Sequence, residues 1–200
     1  DMGVGEPNKM ADKSIVNVLS IEANKEENRF YADNGILDFK IAACSYLKDL
    51  YNLDNINPAN IVHGIGSKSI LAMIPTCFIN PGDVTLMTVP GYPIIANHTK
   101  FLGGEVYNLK LCEYNNFYPE LDSIPEDILK RAKLLYLNYP NNPTGQVATI
   151  EFYEKVIEFA KKNNVLIVSD VAYGPLVFDG NKPLSIFTVD KNMEYSIELH

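Results

Sequence analysis

Four polar side chains stand out by where they fall. Asn138 and Asn142 follow the apolar run Leu134-Leu-Tyr-Leu137, and Asp170 and Tyr173 follow Val165-Leu-Ile-Val168. Each run has the length of a strand, and its unbroken apolar character marks a strand covered on both faces. Polar residues just past such runs stand at the mouth of a sheet. A carboxylate there is a charged acceptor, an amide both donates and accepts, and a phenol adds a donor on a flat ring. Converging on one crevice, they suit a planar heteroaromatic cofactor.

The elements that must position them are legible on either side. Thr149–Asn163 has helical periodicity, with Phe152, Val156, Phe159 and Ala160 on one face and Glu151, Glu154, Lys155, Glu158, Lys161 and Lys162 on the other. Thr149 is a suitable N-cap. Strand, helix and strand form a βαβ unit, so the two strands are predicted to be parallel neighbours or near-neighbours. Their carboxyl ends then open on one edge of the sheet, where α/β proteins bind ligands.

Upstream, Val84–Val89 reads as a buried strand followed by the loop Pro90-Gly-Tyr-Pro93. Tyr92 there is placed to stack on a planar ring, or simply to pack its loop. Ile61-Val-His-Gly-Ile-Gly66 reads as a short strand into a glycine turn, after which Ser67 caps a helix ended or bent near Ile74 by Pro75. Gly64-Ile-Gly-Ser-Lys-Ser69 lacks the spacing of a P-loop. It still has a glycine turn, a hydroxyl and a helix N-terminus, the parts of a phosphate cradle, although a plain capped helix explains it equally well. Ile36–Tyr51 and Ile94–Leu102 are expected as helices, Gly104–Leu109 and Tyr195–Leu199 as strands, and Ser20–Asn34 as a short helix with a loop. Asp1–Asp12 reads as an irregular entry segment in which Gly3-Val-Gly5 brings backbone near a ligand or makes a turn.

Composition narrows the functions. Two hundred residues, 46% of them hydrophobic, can bury a sizeable core. The net charge of −8 and the lack of a Lys/Arg run argue against nucleic acid and anionic membranes. No run approaches the roughly 20 apolar residues of a spanning helix. Cys44, Cys77 and Cys112 form no Cys-x-x-Cys and are expected as reduced core residues of a cytoplasmic protein. His63, His98 and His200 show no ligand spacing, so no metal site is expected.

At Asn138-Tyr-Pro-Asn-Asn-Pro-Thr-Gly145, followed by Ser169-Asp-Val-Ala-Tyr173, the chain resembles the fold-type-I pyridoxal-phosphate aminotransferases. Tyr31-Ala-Asp-Asn-Gly-Ile36, His63-Gly-Ile-Gly-Ser-Lys68 and Phe78–Tyr92 extend the resemblance and point to the branch that forms LL-diaminopimelate from tetrahydrodipicolinate and glutamate. The resemblance implies a three-layer α/β sandwich with a mostly parallel sheet, the large cofactor-binding domain of these enzymes. Residues 31–200 would form that domain and residues 1–30 an N-terminal arm. It implies that Asp170 pairs with the pyridine nitrogen and that Asn142 and Tyr173 bond the ring's 3-oxygen. It implies that Tyr92 stacks on the ring, and that Gly66, Ser67 and Lys68 hold phosphate. It places Gly5 near the substrate α-carboxylate. Across a homodimer it gives Tyr31, or else Phe30, to the phosphate and Asp33 to the far end of the substrate. Many members carry Glu where this chain has Asp33, and Asp33-Asn-Gly is also an ordinary turn. The Asn142–Pro143 bond is often cis in the family.

The family's cofactor-anchoring lysine, in a Ser-x-Ser-Lys setting, would follow His200, as would the arginine of the small domain. None of Lys155, Lys161, Lys162, Lys182 or Lys191 stands in a matching motif, so no catalytic residue is assigned within the chain. The expectation is part of a longer aminotransferase, incomplete at the C-terminus, without its small domain and inactive alone. An antiparallel strand beyond residue 200 would separate the Tyr195 and Ile61 strands. The alternatives are an aminotransferase for alanine, aspartate or aromatic substrates, a carbon–sulfur lyase, or a non-catalytic binding protein on the same fold.

Overall fold

The computed structural model describes Gly5 and residues 8–200. Gly3 and Val4, expected to approach a ligand with Gly5, lie outside the described residues. The chain divides into two units, Asp1–Ile36 and Leu37–His200.

In the first unit, helix α1 (Lys13–Ala23) begins at Asp12, whose carboxylate accepts from the Ser14 N–H at 2.8 Å. The helix starts well before Ser20, where the sequence pattern placed it. Asp33 and Asn34 occupy a turn closed by the Gly35 N–H on the Ala32 carbonyl at 2.6 Å. Gly35 has φ 100°, a conformation that glycine adopts without strain.

The second unit is built on one five-stranded sheet. In chain order it contains α2 (Leu37–Tyr51), α3 (Gly66–Phe78), β1 (Val84–Val89), α4 (Ile94–Phe101) and β2 (Glu105–Lys110). Then follow α5 (Glu126–Leu129), β3 (Ala132–Asn138), α6 (Ile150–Asn163), β4 (Leu166–Asp170) and β5 (Ser196–Leu199). The strand order is β2-β1-β3-β4-β5, and all four pairings are parallel.

Period-two alternation splits each strand between two apolar layers. Leu134 and Tyr136 of β3, Met87 of β1, Val168 of β4 and Leu199 of β5 meet Leu71 and Ile74 of α3 and Ile95 of α4. Leu135 and Leu137 of β3, Leu86 of β1 and Ile167 of β4 meet Phe152, Tyr153, Val156 and Ala160 of α6. Helices on both faces make the sandwich three-layered and explain why the strands read as continuous apolar runs. α6 is capped as expected: Thr149 accepts from the Phe152 N–H at 3.1 Å, and Asn164 ends the helix in the left-handed region at φ 52°.

Three expectations need correction. Ile61–Gly64 is not a strand. A strand exists by pairing, and within the described residues these four find no partner strand; Val62 is 69% exposed. Pro75 does not end α3, which continues to Phe78. Leu71, Ile74 and Pro75 are all buried, and that packing offsets the roughly 3 kcal/mol a mid-helix proline costs. The cysteines are free but not core residues: Cys77 is exposed, and Cys44 and Cys112 are half-buried.

Candidate active site

β1 is flanked by β2 on one side and β3 on the other, so the chain leaves the sheet's middle in opposite directions. Such a switch point leaves a crevice outside the carboxyl ends of the strands. Tyr92 follows β1, Asn142 follows β3 and Asp170 closes β4. Register fixes the last two closely: Asn138 stands opposite Asp170 across the β3–β4 pair.

Asn138 is 1% exposed and ties these ends together. Its Nδ2 donates to the Asp170 main-chain carbonyl at 2.9 Å. Its Oδ1 accepts the Asn142 N–H at 2.8 Å. The loop beyond is held by Asn141, whose Oδ1 accepts from the Thr144 hydroxyl at 2.8 Å and whose carbonyl accepts the Gly145 N–H at 2.8 Å. The Asn142–Pro143 peptide is cis, as the resemblance implied. At its far end the Asn142 side chain donates to the Tyr173 hydroxyl at 3.4 Å.

Asp170 is 4% exposed. Its Oδ2 accepts from the Tyr136 hydroxyl at 2.9 Å, and its Oδ1 accepts from the Ala172 N–H at 3.3 Å. Burial pushes its pKa above the ordinary carboxylate value, against the pull of these two donors. Tyr136 is fully buried, and desolvation, reinforced by the neighbouring Asp170 charge, drives its phenol well up, so it remains a donor.

A cavity of about 200 Å³ opens here, and Asp170, Asn142, Tyr173, Tyr92, Ser67 and Lys68 all line it. Six sequence-assigned residues therefore share one space. Ser67 is not the helix cap: α3 starts at Gly66, and Ile65 in the cap position offers no side-chain bond. Ser67 and Lys68 thus belong to the helix's first turn, where backbone N–H groups lack intrahelical acceptors. Gly66 has φ 70° at the turn into it. Lys68 Nζ sits 5.8 Å from the centroid of the Tyr92 ring. Gly91 sets the preceding turn, since a Cβ there would collide with the Thr88 carbonyl oxygen. Gly5, Tyr31 and Asp33 belong to the first unit, where all three are exposed.

The sequence singles out Asn138 without giving it a role, and it does not single out Tyr136. Asn138 was visible as the polar end of its strand, but its latching role depends on register. Tyr136 was hidden inside an apolar run; the available signal was that a phenol in a fully buried strand needs a partner. Among the described residues no group of three or more His, Cys, Asp or Glu is arranged to hold a metal, and no helix is long and apolar enough to cross a membrane.

Chemically, the cavity offers a carboxylate to a ring-nitrogen cation, an amide–phenol pair to a ring oxygen, an aromatic face, and a cation with a helix N-terminus for an anion.

Comparison with known proteins places the chain in a family. An LL-diaminopimelate aminotransferase from Methanocaldococcus jannaschii is 59% identical over 201 residues, covering 100% of this chain and 48% of that protein. One from Aquifex aeolicus is 40% identical, covering 100% of this chain and 52% of that protein. The chain spans about half the length of the curated relatives it matches. Among solved structures, substrate-bound BacF from Bacillus subtilis superposes with a TM-score of 0.93 at 32% identity, over 98% of this chain and 50% of that one. An aminotransferase from Staphylococcus aureus gives 0.92 at 32% identity, over 98% and 52%. The family pattern described as aminotransferase class I and II matches residues 1–198, and the chain belongs to that family.

Proposed function

We propose that this chain carries most of the cofactor pocket of a pyridoxal-phosphate-dependent aminotransferase that forms LL-diaminopimelate. The observation that carries the reading is the meeting of the Asp170 carboxylate with the Asn142–Tyr173 pair at the ends of adjacent strands. The donor set fits the group: one acid, one amide–phenol pair, one aromatic face and one anion cradle line the same cavity.

Pyridoxal phosphate, when bound, supplies an electron-withdrawing ring that draws charge from an amino acid's α-carbon. The residues of this chain hold and tune it. Asp170 pairs with the ring nitrogen and keeps it protonated, a charge-assisted bond of about 1.5–3 kcal/mol. Asn142 and Tyr173 hold the 3-oxygen, and Tyr92 covers one face. Gly66 opens α3, and Ser67 and Lys68, the next residues of its first turn, take the phosphate. Gly5 serves the substrate α-carboxylate. In a homodimer Tyr31 reaches the phosphate of the second copy and Asp33 reads the distal end of the substrate. The three free thiols suit a reducing, cytoplasmic setting.

The relatives named for LL-diaminopimelate, at 59% and 40% identity, support that substrate. The test is an assay of the enzyme that contains this chain, with 2-oxoglutarate as acceptor. Preference for LL-diaminopimelate over alanine, aspartate and aromatic amino acids is expected. Preference for one of those donors, or carbon–sulfur cleavage, contradicts the reading.

A further inference from the structure

One buried phenol touches the site and has no place in the assignment above. Tyr136 lies in β3, two residues before Asn138, and its ring is packed in the layer of Leu134, Val168 and Leu199. Only its hydroxyl reaches a polar group, Asp170 Oδ2, at 2.9 Å. Among the described residues it is the one side chain that donates to this carboxylate. The other donor, the Ala172 N–H, stands at 3.3 Å from Oδ1. The titratable groups lining the same cavity are Lys68, Tyr92 and Tyr173.

We propose that Tyr136 is a positioning residue for Asp170: its hydroxyl clamps Oδ2, fixes the plane of the carboxylate, and leaves Oδ1 the capacity to accept from a ring nitrogen. The ring-nitrogen half of this inference rests on the pyridoxal-phosphate reading; the clamp itself does not. A carboxyl buried this deeply drifts toward its neutral form. A neutral acid cannot act as counter-ion to a protonated nitrogen. A donor to Oδ2 favours the ionised form, and the Tyr136 phenol, pushed far up by burial, keeps its proton to do so. Phenylalanine would fill the same apolar layer, so the hydroxyl is not needed for packing.

The test reads the carboxyl directly. Asp170 is followed by ¹³C NMR with side-chain-labelled aspartate, across pH and without cofactor, in the intact protein. Tyr136→Phe is expected to raise the Asp170 midpoint by about one pH unit, the size of one charge-assisted hydrogen bond. Replacing Tyr136 by 3-fluorotyrosine, a stronger donor of nearly unchanged shape, is expected to lower it; this second variant answers any failure of the first to fold. Tyr139→Phe removes a buried hydroxyl that donates to the Phe117 carbonyl instead, and is expected to leave the midpoint where it was. Unmoved midpoints in both Tyr136 variants overturn the proposal. Binding of 4′-deoxypyridoxine 5′-phosphate is measured beside it, with a loss of about tenfold expected in Tyr136→Phe. Shifted midpoints with no binding in any form, wild type included, support the clamp and overturn the pocket reading.

Discussion

Asn138 and Asp170 face each other across the β3–β4 register, and the Asn138 amide donates to the Asp170 main-chain carbonyl at 2.9 Å while accepting the Asn142 N–H at 2.8 Å. One buried side chain thus sets the separation of the carboxylate-bearing strand end from the Asn142 loop. Asn138→Ala is expected to leave the buried Asp170 carbonyl without this donor and the part-buried Asn142 N–H without this acceptor, and to lower stability by about 1–3 kcal/mol in denaturant unfolding. It should weaken ligand binding as well, since both Asp170 and Asn142 lose their reference point.

The Thr149 cap separates folding from binding. Its hydroxyl accepts the Phe152 N–H at the start of α6, and Thr149 does not line the Asp170 cavity. Thr149→Ala is expected to lower stability by about 1 kcal/mol in denaturant unfolding. The affinity for 4′-deoxypyridoxine 5′-phosphate should not change. Tyr92→Leu should do the reverse: a several-fold loss of affinity, from about 0.5–1.5 kcal/mol of ring stacking, with little change in stability.

Asp170 gives stability a pH signature. Its pKa is raised in the folded state, chiefly by burial, so the unfolded chain releases this proton first. The stability it contributes is fully present below the ordinary carboxylate pKa and is lost as pH rises through the folded value. The difference in unfolding free energy between wild type and Asp170→Asn, measured without ligand, should therefore turn against the wild type as pH rises across that window. Above it the difference should be flat. A difference that grows in favour of the wild type with rising pH contradicts the assignment.

Gly174 packs against α2. A Cβ there would fall 2.7 Å from Val171 Cγ1 and against the Tyr51 hydroxyl, which is itself buried. Gly174→Ala is expected to destabilise by about 1–3 kcal/mol through overpacking next to Tyr173. Thermal unfolding reads the loss.

Much of this arrangement was written in the sequence because its elements satisfy themselves locally. Leu134–Asn138, the Thr149-capped helix and Val165–Asp170 each carry their own pattern, and a right-handed crossover leaves few ways to join them. Their strand ends then deliver Asn142, Asp170 and Tyr173 to one crevice. What failed to show depends on distant partners. Ile61–Gly64 has strand-like residues, but no strand of the described chain pairs with it. Pro75 stays helical because its neighbours bury it, a fact of packing rather than of local propensity. Tyr136 looked like core until the register placed Asp170 within reach of its hydroxyl.

On the proposed reading the Asp170 carboxylate meets the nitrogen of a flat pyridine ring. Calorimetric titration with 4′-deoxypyridoxine 5′-phosphate, which has no aldehyde and needs no anchoring lysine, probes that contact without the rest of the chemistry. Saturable binding by the wild type, weakened by about tenfold or more in Asp170→Asn, is the predicted result. Equal affinity in the two forms, or no binding by the wild type, would contradict it.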